Sequence, residues 1–194
     1  MGSIMIKPFL FLSFLFCLSI GYAQVGALDI ADAALVIVDD RVIYDPSYFS
    51  MAYPNGDVPS DRGVCTDVVI RTYRVLGIDL QRFVHEDMNS NFAVYPQRWG
   101  LKGPDKNIDH RRVPNLMTFF ERKGKVLPNE GLFGPGEIVC WDLGGGILHI
   151  GMISSSRGTS GNYLVVHNIG GGQVLEDVLF RFELIGHYLY LGDS

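Results

Sequence analysis

The second half of the chain most narrows the folds open to it. Four short runs rich in β-branched and aromatic residues follow one another: "IVCWDL" (138–143), "ILHIGMIS" (147–154), "YLVVHNI" (163–169) and "GHYLYLG" (186–192). Gly- and Ser-rich turns separate them, such as "GGG" at 144–146 and "SSSRGTSGN" at 154–162. Connectors this short join antiparallel neighbours, because a parallel pair needs a crossover of a dozen residues or more. Upstream the periodicity is helical. Residues 28–38, "LDIADAALVIV", predict a helix whose "VIV" end could also be strand. Residues 66–76 set Val68, Val69, Thr72, Val75 and Leu76 on one face, with Gly77 placed to end the helix. "VPNLMTFFER" (113–122) predicts another helix, with Pro114 tolerated in its first turn. Residues 81–112 read as irregular. Helices followed by strands predict an α+β fold, helices packed on an antiparallel sheet.

The N-terminus bears on compartment. Lys7 precedes the apolar run "PFLFLSFLFCLSIGYA", which ends in small residues suited to cleavage after Ala23. Residues 1–23 are therefore expected to be a signal peptide, and 24–194 a single periplasmic or secreted domain. No later segment approaches the roughly 20 apolar residues of a membrane span. The net charge of −5 becomes −6 without Lys7, the single charge before Gln24. That balance argues against nucleic acid as a partner. Two cysteines remain, Cys65 and Cys140. A disulfide is one reading in an oxidising compartment; the preferred one is two free thiols, Cys65 functional and Cys140 packed in the core.

Cys65 opens a helix, where unpaired amides and the macrodipole favour an anion. A neighbouring imidazole would favour the thiolate further, and the two effects predict a lowered thiol pKa. Two of the five histidines, His149 and His167, lie on strands flanking one hairpin turn. A hairpin symmetric about Gly158 sets 153 opposite 163 and His149 opposite His167, as a base and its orienter. A slip of one residue puts Asn168 there instead. Asp67 suits capping or packing better than catalysis. A metal held by Cys65, His149 and His167 lacks a short-spaced ligand pair, and the glycine triplets lack the lysine of a phosphate loop, so neither metal nor cofactor is expected.

"GVCTDVV" (63–69), "GPGEIV" (134–139), "HIG" (149–151) and "VH" (166–167) resemble the NlpC-type cell-wall peptidases, papain-like cysteine hydrolases. Over Tyr53–Tyr190 the chain more closely resembles a bacterial family of unknown function numbered 1287, in "GVCTDVVIR", "PDKNIDHRRVPNLMTFF" and "VVHNIGGGQVLED". The resemblance implies a papain-like fold, Cys65 as nucleophile, His149 as base, His167 as third residue, and peptidoglycan stem peptide as substrate. It makes Tyr53 the counterpart of a tyrosine near the family's cysteine. Thr66-Asp67 stands where the NlpC type has Ser-Gly, and Glu137 where its turn has Asp. The longer spacing between Cys65 and His149 carries a basic strip, and Arg111 and Arg112 within it suit substrate carboxylates, with Asp67 and Tyr53 as further substrate contacts. Rival readings on the same fold are a noncatalytic wall-binding module and a lipid acyltransferase or thioesterase.

Overall fold

The computed structural model describes residue 2 and residues 24–192, so the expected signal peptide lies, but for Gly2, outside the described residues. The described chain runs α1 (Ala27–Val36), β1 (Ile43–Tyr44), β2 (Arg62–Gly63), α2 (Cys65–Val75), α3 (Leu80–Asn91), two 3₁₀ turns (Phe92–Val94 and Asp109–Arg111) and α4 (Val113–Lys123). It continues with β3 (Lys125–Val126), β4 (Ile138–Asp142), β5 (Leu148–Arg157), β6 (Tyr163–His167), β7 (Val174–Glu176) and β8 (Glu183–Leu189). The fold is α+β: β3-β8-β4-β5-β6-β7 form an antiparallel sheet, and β1 and β2 make a short parallel pair.

Strand alternation gives this sheet two different faces. Ile138, Cys140, Ile150, Met152 and Val166 face the helices, joining Val68, Val69, Phe119 and Phe120 in the larger core. Val139, Trp141, Ile153 and Val165 face the other way, beneath Val178 and Leu179. Both faces are covered over β4 and the middle of β5, so Ile138–Trp141 and Ile150–Ile153 are buried without a break.

Helix α3 corrects the irregular reading of its stretch. Its buried positions, Leu80, Gln81, Val84, Asp87 and Met88, keep helical spacing. Two of the five are polar, which hid the apolar period. Gln81 bonds the loop at Ala52, Gly56 and Lys106, and Asp87 takes Tyr95 and Arg122. Asp79 caps the helix by accepting from the Arg82 amide.

The β5–β6 register also departs from the symmetric hairpin. Ile153 pairs with Val165 and Met152 with Val166, and an irregularity before Arg157↔Tyr163 absorbs the difference. Carried one residue further, the register sets Gly151 rather than His149 across from His167. A shift of two keeps the same face, so both histidines still share it.

Candidate active site

His149 and His167 meet diagonally across β5 and β6. His149 Nε2 lies 2.8 Å from His167 Nδ1, and the rings are edge to face. Gly151 makes room for the crossing: a Cβ there would sit 2.7 Å from Val165 Cγ1 and 3.2 Å from His167 Cβ. Trp141 stacks on the other side of His149 at 5.5 Å, its indole anchored to the Leu179 carbonyl. His167 Nε2 reaches Glu176 Oε2 on β7 at 2.9 Å. Asn168, the alternative partner, points elsewhere. Its amide reaches the Gly63 carbonyl, and its oxygen accepts from the Gly170 amide.

Cys65 stands at the first position of α2, on the helix-facing side of the sheet. The amides of Ile150, Thr66 and Cys65 itself face the sulfur. The β5–β6 pairing ends at Met152–Val166, and Asn168 then bonds Gly63 just ahead of α2. The head of the helix thus lies where the two strands part. The expected thiol–imidazole contact is not formed. Among the described residues no hydrogen bond joins Cys65 to His149, because alternation on β5 sends Ile150 toward the helices and His149 toward Trp141.

Electrostatics corrects the expectation of a lowered thiol pKa. Burial pushes the Cys65 thiol up to about 12 against the pull of its three amides, and Asp67 nearby adds to the rise. Burial, with His167 alongside, brings His149 down to about 3. Desolvation outweighs the helix terminus here, so both groups rest uncharged at neutral pH. His167 is also lowered by burial, with Glu176 opposing. Neither Cys65 nor Cys140 is in a disulfide.

A pocket of about 180 Å³ opens at Cys65, lined by Tyr44, Pro46, Val64, Ile108, Arg111, Val113 and Leu148. Tyr44 is the tyrosine at this site: its hydroxyl faces the sulfur, and burial, then Cys65, pushes the phenol up to about 12. Tyr53 is elsewhere, its ring against His85 at 5.2 Å and beneath the Lys106 ammonium. The resemblance pointed to Tyr53; the β1–β2 pairing, which sets Tyr44 beside Gly63, decides for Tyr44.

Asp67 is not placed to touch a substrate. It is buried, accepts the Val64 amide at 2.7 Å as the helix cap, and pairs with Arg111 Nε at 3.0 Å and Nη2 at 3.0 Å. Arg111 does line the pocket, but its donors are already engaged by Asp67 and by the carbonyls of Asp45 and Ser47. It braces the pocket wall rather than offering a free charge. Arg112 lies away from the pocket, its guanidinium 4.0 Å over the Trp99 ring. Glu176 was missed in the sequence because β7 has only three residues. Counting outward from the turn at Gly170–Gly172 would have set it opposite Val165, on the histidine face.

A cysteine thus heads α2 beside the sheet of an α+β domain, and a histidine–histidine–carboxylate chain runs across β5, β6 and β7. The chain belongs to the family Domain of unknown function (DUF1287), which it matches over residues 31–190. The Escherichia coli (strain K12) Uncharacterized protein YijF is 52% identical over 166 residues, covering 84% of this chain and 81% of its own. A solved structure, NlpC1 from Trichomonas vaginalis, superposes with a TM-score of 0.45 at 15% identity over 91% of this chain. This chain spans 47% of that protein's length. No helix among the described residues is long and apolar enough to cross a membrane.

Proposed function

We propose that this protein is a secreted or periplasmic cysteine hydrolase of amide bonds, acting on peptidoglycan stem peptides. One observation carries the reading: a hydrogen-bonded chain, Glu176–His167–His149, ends at the residue before the one whose amide faces the Cys65 sulfur. His149 Nε2 is engaged by His167, and among the described residues Nδ1 has no hydrogen-bond partner. That leaves Nδ1 to take a proton.

In this mechanism substrate enters the pocket beside Tyr44, and the start of β5 must turn to bring His149 Nδ1 from the Trp141 face of the sheet round to the sulfur, since rotation of the Cys65 side chain alone does not cross the strand. Hydrogen bonds among catalytic groups commonly tighten only when substrate is bound. The thiol proton passes to Nδ1 as sulfur attacks the carbonyl carbon. The amides of Cys65 and Thr66 steady the oxygen that gains charge. The tetrahedral intermediate collapses as His149 returns the proton to the departing amine, leaving a thioester. A water then attacks, His149 accepts its proton, and the acid is released with the thiol restored.

A second reading has its own support. The thiol rests protonated and out of contact with His149, as it would in a noncatalytic wall-binding module on this fold. Mass spectrometry of muropeptides incubated under reducing conditions with the wild type and with Cys65→Ala separates the two. The hydrolase reading expects new termini from the wild type alone. Stem peptide that binds both proteins and stays intact supports the binding module.

A further inference from the structure

The histidine chain carries information about where its protons are. His167 Nε2 faces a carboxylate oxygen, an acceptor, so Nε2 holds the proton and donates it. In the neutral ring Nδ1 is then the acceptor. Its partner at 2.8 Å, His149 Nε2, must therefore be the donor. A neutral His149 protonated at Nε2 keeps its lone pair on Nδ1. The carboxylate is two hydrogen bonds from that lone pair and orders both rings.

We propose that Glu176 is a positioning residue that sets the tautomers of His167 and His149, so that His149 presents an unprotonated Nδ1. The catalytic consequence rests on the hydrolase reading above; the tautomers themselves do not. Glu176 is the only chain member with substantial solvent access, at 45% of its side chain, while both histidines are buried. The inner bonds are thus shielded from water, and the outer one fixes their direction. The charged groups facing His167 are Glu176, which favours its cation, and Arg181, which disfavours it. His149 faces His167 and Trp141.

The test is nitrogen NMR of the full-length protein labelled at histidine, which reports the protonated nitrogen of each ring. Wild type is expected to carry Nε2–H on both His167 and His149. Glu176→Lys places a donor where the acceptor stood, so both rings should switch to Nδ1–H. With the lone pair moved off His149 Nδ1, amide cleavage should fall by ~100-fold or more, since a wrong tautomer in a comparable triad costs ~10⁴. Glu176→Gln retains an acceptor oxygen and should lose less than ~10-fold. Without the carboxylate, the acid limb of its pH profile should move to lower pH, because the His167 cation has lost its partner. The wild-type spectrum needs no variant to fold. A proton on His167 Nδ1 in wild type, or unchanged tautomers in a folded Glu176→Lys, overturns the proposal. Tautomers as expected in a protein that cleaves no stem peptide support the wiring and remove only the hydrolase reading.

Discussion

Two buried histidines in this sheet meet glutamates, and they do different things. His187 on β8 has both ring nitrogens on oxygen acceptors: Nδ1 is 2.7 Å from the Pro128 carbonyl and Nε2 is 2.7 Å from Glu137 Oε2. Both ring nitrogens are thus tied to oxygens of the fold. Glu137 also accepts the Gly134 amide, and Phe133 stacks on the ring at 4.3 Å. Every polar atom of that ring is engaged within the fold, and the result is a clamp holding the 128–137 segment on the sheet. His167 has one nitrogen on a carboxylate and the other on a second histidine, whose own Nδ1 is left without a hydrogen-bond partner among the described residues. The same residue pair is a closed tie in one place and an open relay in the other. The second partner makes the difference.

The sharpest way to break this comparison is at the inner end of the relay. His149→Gln or Cys65→Ala should lower amide cleavage by ~10³-fold or more while leaving a folded protein, measured as kcat/KM on a synthetic stem peptide. Next in size is the brace behind the pocket. Asp67→Ala strands the Arg111 guanidinium in a buried site, and should cost ~3–5 kcal/mol in urea unfolding. Gly151→Ala should follow. Its methyl meets the Val165 side chain and the Val166 carbonyl at 2.7 and 3.1 Å, so β6 must shift, at ~1–3 kcal/mol. His167 would be displaced with it, and cleavage should fall too. Glu137→Gln tests the clamp: ~1–3 kcal/mol of stability should be lost, with kcat/KM per folded molecule held within about twofold. A large loss of activity there would erase the distinction between tie and relay.

Acid should expose the buried rings as a group. His149 and His110 are both brought by burial to about 3, so the unfolded chain, with ordinary histidines, binds more protons as pH falls from about 6.5 toward 3. Stability therefore rises with pH across that window and is lost on acidification. Asp109, pushed by burial up to about 6, works in the opposite direction with a smaller shift. Urea midpoints at pH 7 and 4.5 should differ by less in His149→Gln than in wild type.

Much of the sheet was legible because a turn rich in glycine between two apolar runs admits few connections. The four expected strands are β4, β5, β6 and β8, with ends that differ by three residues or fewer. The pairing of His149 with His167 survived a wrong register because the error was even, and side chains repeat every two residues. α3 was hidden by Gln81 and Asp87, polar residues buried for the partners they hold. Tyr44 could not be chosen over Tyr53, since a two-residue strand leaves no period to read.

The sequence alone determined that helices precede a run of antiparallel strands, that a cysteine starts a helix and that two histidines share a face, because all three follow from local periodicity. Only the tertiary structure decided that Arg111 is consumed by Asp67, that Glu176 ends the histidine chain, and that the thiol rests protonated behind Ile150. Those outcomes depend on desolvation and on partners far apart in the chain, and no spacing of residues encodes them.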